Sequence, residues 1–360
     1  MKKRILFGIV ALLALCGAMQ AQDTKAARIK YIRDKYAWAK AEIANNGKYP
    51  NFDRSIVITL NEVLDVGEEF PEITNIKYFF KGNWKMSDDG SYKGGNQVYF
   101  ISRDWSAYGH STYEEILFDP KDGSLLFSFS HVETHAGQVI ESRYYYGPDG
   151  ELIESKQSET NDWSSGDAEK KQANLFLSIF KELMSAEGAS EKAQGGLVQT
   201  PSKAQRLKFI RETYAKAKEK IATNDKSEVP RDMQIVIHDQ QTAETPPVTT
   251  ELKFYFDEVV DQVETDAVSI DNYCYFISEH RHSMMFNSYY EYLYAPKSQD
   301  MIFSYCRWLE EGEVYESRYY YDEKGRCIEA KTNLEDVDYG ANDKSSAKHF
   351  MNVFNALANQ

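Results

Sequence analysis

Glu141–Lys156 and Glu316–Lys331 are nearly one phrase written twice, ESRYYYGPDGELIESK and ESRYYYDEKGRCIEAK. A chain that repeats a charged, tyrosine-rich hairpin this closely is restricted to folds built from two similar halves. The echo extends outward. Arg28–Asn46 aligns without gaps to Arg206–Asn224, and Ile29, Ile32, Tyr36, Ala39 and Ile43 recur as Leu207, Ile210, Tyr214, Ala217 and Ile221. Spacings of three and four place these on one face of an amphipathic helix. Ser202 and Gln205 form a capping-box pattern ahead of the second helix. A closing helix is expected over Asp167–Met184 and again over Lys344–Ala358, with Ala173, Phe176, Phe180 and Leu183 matching Ala347, Phe350, Phe354 and Leu357.

Between the helices the apolar period falls to two and β-branched and aromatic residues dominate, the pattern of strands. Seven are expected in the first copy, over Ser55–Leu60, Ile76–Phe80, Gln97–Ser102, Tyr113–Phe118, Leu125–Val132, Val139–Tyr146 and Glu151–Lys156. Seven counterparts are expected in the second, from Gln234–Ile237 to Arg326–Lys331. Short connections such as Asp119–Gly123 favour an antiparallel meander over helical crossovers. The expected fold class is therefore α+β: two tandem copies of an antiparallel, twisted-sheet meander domain, each with an N-terminal and a C-terminal helix packed on its sheet. Residues 22–184 and 203–360 are the two domains, each expected to fold alone, and 185–202, rich in Gly, Ala, Ser and Gln, is a flexible linker.

Residues 1–21 carry a basic start, an apolar run and a small-residue end, the outline of a secretory signal peptide cleaved after Ala21. Cys16 suggests a lipoprotein alternative, against which Leu15 is a poor fit to the small residue that precedes a lipidated cysteine. No later run is apolar enough for a membrane span. Loss of the three basic leader residues takes the formal charge from −14 to −17. So acidic a chain repels phosphate backbones and anionic lipid surfaces, which removes nucleic acid from the partners to be expected. An extracytoplasmic protein can form disulfides, but Cys274, Cys306 and Cys327 all lie in the second copy, so the shared fold does not depend on a bridge.

The charges repeated in both hairpins, Glu141, Arg143, Glu154 and Lys156 with Glu316, Arg318, Glu329 and Lys331, resemble acid–base equipment. Closing the first hairpin with Tyr146 opposite Glu151 predicts Arg143 opposite Glu154 and Glu141 opposite Lys156, and the second follows suit. Such cross-strand pairs stabilise by ~0.2–1 kcal/mol each and pin the register, which accounts for all eight residues without catalysis. Most of the 25 tyrosines are read as strand cover. Tyr145, Tyr320, Tyr290 and Tyr292 are the candidates for ligand contact, as exposed rings that grip a glycan or peptide.

The motif Tyr-X-Tyr-Gly/Asp-X-X-Gly-X-X-Ile in these hairpins resembles the tyrosine-and-glycine hairpins of YD-type secreted repeats, over that hairpin alone. His280 and His282 share one side of a strand and could chelate zinc if His238, Glu279 or a cross-strand carboxylate completed the shell. His131 and His135, His110 beside Ser111, and the acidic loop Ser87–Gly95 match no complete motif, and Walker, dinucleotide, H-E-x-x-H, C-x-x-C and EF-hand patterns are absent. The expected function is a non-catalytic extracytoplasmic binding or scaffold protein without a cofactor, its partner a protein, peptide or glycan. The alternative is a hydrolase or metal-dependent enzyme at His280 and His282 in the second domain, with zinc.

Overall fold

A computed structural model describes the backbone of residues 2–48, 54–65, 69–82, 85–86, 92–93, 95–107, 109–158, 165–185, 203–228, 230–240, 246–262, 268–284, 286–296, 298–310, 312–333 and 340–358. The expected linker beyond Ser185, Ser202 of the capping box, most of Ser87–Gly95 and the side chains of the leader lie outside the described residues.

The first half supplies α1 (Lys2–Asn45), β1 (Arg54–Asp65), β2 (Glu69–Gly82), β3 (Lys85–Met86), β4 (Tyr92–Lys93), β5 (Asn96–Ala107), β6 (His110–Phe118), β7 (Leu125–Glu133), β8 (Val139–Tyr146), β9 (Leu152–Gln157) and α2 (Gly166–Ser185). The second supplies α3 (Lys203–Asn224), β10 (Asp232–Asp239), β11 (Val248–Gln262), β12 (Val268–His282), β13 (Asn287–Tyr294), β14 (Met301–Glu310), β15 (Glu313–Tyr321), β16 (Cys327–Thr332) and α4 (Ala341–Ala358). All but the small β3–β4 pair join one antiparallel sheet of 14 strands, in the order β16-β15-β14-β13-β12-β11-β10-β1-β2-β5-β6-β7-β8-β9. Each half is thus a meander, and the two meet where β1 pairs with β10. There Ile56 faces Ile237, Ile58 faces Ile235 and Leu60 faces Met233.

The sheet is covered on both faces. α2 and α4 lie side by side on one, over a single cluster that includes Ile56, Ile58, Tyr78, Tyr144, Phe180, Ile235, Phe254 and Phe354. That cluster draws on both halves, so the interior on this side is shared rather than closed once per half. On the other face α1 packs over Tyr99, Phe100, Phe127 and Tyr145, and α3 over Tyr255, Phe276, Phe303 and Tyr320, as two separate clusters. The seam between those helices is more polar, with Thr59 half-buried and Gln234 exposed. Two-sided cover explains why Tyr144, Tyr145 and Tyr146, though successive, are all buried.

Six hairpin partners slip register by one residue, three in each half. The slips leave Tyr99, Leu126 and Ile153 as extra residues in the first half, and Tyr275, Ile302 and Ile328 in the second. A β-bulge of this kind turns two successive side chains to one face and sharpens the local twist. All six extra residues turn toward α1 or α3 and join the clusters there.

The bulges also correct the expected charge pairing. Gly147 N–H, not Tyr146, closes the turn by donating to Glu151 O at 2.8 Å, and the bulge at Ile153 adds a further shift. Arg143 therefore lies opposite Lys156, and Glu154 opposite Tyr145. In the second half Arg318 likewise faces Lys331, and Glu329 faces Tyr320. The slip totals two residues, so the charges stay on the expected face while their partners change. Ion pairs instead run along each strand, Arg143–Glu141 at 2.8 Å and Lys156–Glu154 at 3.2 Å, and Lys25 of α1 reaches Glu154 at 3.3 Å. Gly150, at φ +76°, supplies the left-handed turn position that side chains resist.

Among the described residues no helix is long and apolar enough to cross a membrane. Cys274, Cys306 and Cys327 are buried free thiols.

Candidate binding clefts

Where α1 crosses β7 and β8, the helix stands off the sheet and leaves a cleft of about 300 Å³. Ile32, Arg33 and Tyr36 wall it from the helix; Phe127, Phe129, Arg143 and Tyr145 form the floor. A second cleft of about 370 Å³ lies under α3. Its lining is Ile210, Arg211, Tyr214, Phe303, Tyr305, Arg318 and Tyr320, with Glu291 at the back. The seven paired positions match one for one, and only Phe129 and Tyr305 differ in type. Both volumes fall at the small end of the range for small-molecule sites.

The packing matches as well. Tyr36 sets its ring edge against Phe127 at 5.5 Å, as Tyr214 does against Phe303 at 5.1 Å. Phe127 meets Tyr145 at 5.0 Å, and Phe303 meets Tyr320 at 5.1 Å. The Arg143 guanidinium sits 5.1 Å over Phe129, and that of Arg318 5.2 Å over Tyr305. A cation over an aromatic face is held there yet keeps N–H groups for a ligand.

Behind each cleft a buried carboxylate ties helix to sheet. Glu115 accepts hydrogen bonds from the Tyr36 hydroxyl, from Lys40 Nζ at 2.8 Å and from the Tyr113 hydroxyl at 2.6 Å. Glu291 accepts from Tyr214 at 2.6 Å, Lys218 at 3.0 Å and Tyr289 at 2.8 Å. Burial works against the charge of Glu115, but bonds from Lys40, Tyr113 and Tyr36 outweigh it and hold the carboxyl below its ordinary value. Burial, reinforced by the neighbouring carboxylate, pushes the tyrosine hydroxyls up. A general base needs a pKa near the working pH and a free lone pair facing substrate. Glu115 is fixed in its ionised state by three donors, so it serves as an anchor.

The residues singled out from the sequence are placed unevenly. Tyr145 and Tyr320 do line the clefts, although only 6% and 7% exposed, so they offer a ring edge at the floor rather than an open platform. Tyr292 is 1% exposed. Strand alternation turns it under α4, 5.9 Å from Phe350, with its hydroxyl donating to Glu279 at 3.1 Å, which takes it out of ligand reach. Tyr290 stacks parallel to it at 6.4 Å on the same side. His280 and His282 share one side of β12, their rings 4.9 Å apart. His280 Nε2 contacts Asn287 Oδ1 at 3.1 Å, and His282 Nε2 lies 3.6 Å from Glu251. Glu279 points to the opposite face and His238 contacts Thr249, so neither joins them. Among the described residues no group of three or more His, Cys, Asp or Glu is arranged to hold a metal.

Sequence reasoning passed over Arg33, Arg211, Lys40, Lys218, Glu115 and Glu291. Their signal was present: Tyr-X-X-X-Lys recurs in the two aligned helices and Tyr-X-Glu in the two matched strands. Nothing in the sequence joined the two motifs, because their contact spans more than 70 residues.

No family model matches this chain, no curated protein is similar to it, and no solved structure matches its fold. The clefts therefore carry the functional argument by themselves.

Proposed function

We propose that this is an extracytoplasmic, non-catalytic binding protein made of two tandem copies of one α+β unit, residues 22–184 and 203–360, with one ligand cleft per copy. The leader pattern of residues 1–21 supports export. The carrying observation is the match between the clefts: the same helix positions and strand positions, in the same packing, wall a recess in each half. Six of the seven paired lining residues, both arginines included, are identical in the two halves.

The seam supports the tandem reading. Ile58 and Ile235 hold matching places in β1 and β10 and lie directly opposite each other, with Ile56–Ile237 and Leu60–Met233 flanking them. That is the arrangement of a local two-fold axis, and a two-fold contact joins the same patch to itself. It puts both clefts on one side of the sheet, flanking the central strands. A peptide, protein or glycan with two suitable groups would engage them together, and linkage raises apparent affinity without new contacts.

Ligand-observed NMR with a library of small aromatic and acidic fragments tests the reading. Fragments should occupy two sites per chain, one lost in Arg143→Ala and the other in Arg318→Ala. Fragments that bind elsewhere, or none that respond to either substitution, refute it.

A further inference from the structure

The two clefts agree in shape and differ in one ion pair. In the second, Arg211 lies 3.4 Å from Glu329, which it shares with Lys203 and Lys331, and Arg318 lies 3.4 Å from Glu316, so each arginine touches a carboxylate. In the first, Arg143 has Glu141 at 2.8 Å, and Glu154, the match of Glu329, holds Lys25 and Lys156 without being joined by Arg33. Among the described residues Arg33 has no ion pair. It is exposed on α1 and lines the cleft mouth. The two sets of charges are alike in number, and the difference is that Arg33 stands apart from Glu154 where Arg211 joins Glu329.

Building on the twin-cleft reading, we propose that the first cleft is a site for a monocarboxylate with an apolar body. Arg33 takes the carboxylate with Arg143 beside it, and the body rests on Phe127, Phe129 and Tyr145. Arg33, without a carboxylate of its own, matches a single negative charge; Arg143 is already engaged by Glu141, so a phosphate dianion would find one free guanidinium for its two charges. Guanidinium is suited to the task, since its planar fork meets a carboxylate with two parallel N–H···O bonds. The floor agrees: Phe129 has no hydroxyl, while Tyr305 in its place donates to Glu316 at 3.1 Å and makes the second floor polar. In the second cleft Arg211 is already engaged by Glu329, so no preference for the acid is expected there.

The probes are N-acetyl-L-phenylalanine and N-acetyl-L-phenylalaninamide, which differ only in the charge of the terminal group. Calorimetric titration of the full chain at low salt should show the acid binding one site per chain, about tenfold or more tighter than the amide. Arg33→Gln should abolish that preference, Arg211→Gln should leave it intact, and 0.5 M salt should weaken acid binding but not amide binding. Arg33 is exposed, so an unchanged melting curve separates loss of a contact from loss of the fold. Equal binding of acid and amide at two sites overturns the carboxylate assignment and leaves the twin-cleft reading standing. Acid at both clefts alike overturns the asymmetry. Acid binding that survives Arg33→Gln, or no binding of either probe at millimolar concentration, overturns the proposal outright.

Discussion

Phe180 of α2 and Phe354 of α4 test whether the chain unfolds as one body. Phe180 is 2% exposed and packs on Tyr78 at 6.0 Å and Phe80 at 5.5 Å; Phe354 is fully buried, on Phe254 at 6.0 Å and Phe256 at 5.5 Å. Truncating either to Ala removes a buried ring from a close-packed site and costs ~4 kcal/mol. Both rings belong to the cluster shared across the β1–β10 seam. If that cluster makes residues 22–184 and 203–360 one cooperative unit, the unfolding entropy is about 0.7 kcal/mol per degree, and either substitution lowers a single melting peak by ~6 °C. Two halves melting independently would each have about half that entropy, so Phe180→Ala would move one peak by ~12 °C and leave the other in place. Differential scanning calorimetry separates the cases. Two resolved transitions, only one of which responds, would refute the shared-core reasoning.

Stability should fall as pH rises from about 5 to 8. Glu62 and Glu279 are each pushed up to about 7. Burial is the main cause in both, and Glu72 adds repulsion at Glu62. A carboxyl whose folded pKa is raised favours the fold when protonated, a contribution complete below the ordinary Glu value and lost as pH passes 7. For Glu279 the shift amounts to ~3 kcal/mol, so Glu279→Gln should flatten the profile and raise the melting temperature at pH 8. A melting temperature that climbs steadily from pH 5 to 8 would contradict this. At the anchor, Glu115→Ala strands two tyrosine hydroxyls and Lys40; because Lys40 is partly solvated, the cost should be about 2–4 kcal/mol by urea unfolding. A change under about 0.5 kcal/mol would mean the network does not hold α1 to the sheet.

Local pattern carried the elements well. β8 runs over Val139–Tyr146 as alternation predicts, and α4 ends at Ala358 as its apolar face predicts. β2 extends well past the expected Ile76–Phe80, to Glu69–Gly82, because its outer residues, a mixture of polar and apolar, are paired through the backbone. What failed was pairing. The charge register assumed ideal strands, and bulges move partners without changing faces, so alternation along one strand carries no trace of them. Their only sign was two successive apolar residues, such as Tyr99-Phe100 and Ile302-Phe303, at matched places in both copies. The edge-to-edge join of β1 and β10 was equally hidden, since an inner strand and an edge strand can carry the same apolar alternation.

The abundance of tyrosine follows from this layered design. A sheet covered on both faces needs large side chains above and below, and groups that fasten the covering helices to it. Tyrosine serves both needs. Tyr146 spans the core to donate to Gly166 O at 2.9 Å, and Tyr321 donates to Gly340 O at 3.3 Å, each fixing the start of a C-terminal helix. Gly340 is required there: its φ is +72°, and a Cβ would come within 2.0 Å of the Tyr321 hydroxyl. Tyr294 reaches Ala347 O at 2.8 Å, and Tyr36 and Tyr214 tie the N-terminal helices to Glu115 and Glu291. These five tyrosines are thus bonded between layers. The clefts open where this fastening gives way to arginine, at Arg33 with Arg143 and at Arg211 with Arg318, whose long stems can cover a ring while their N–H groups stay available. On the proposed twin-cleft reading, recognition falls to guanidinium groups over an aromatic floor.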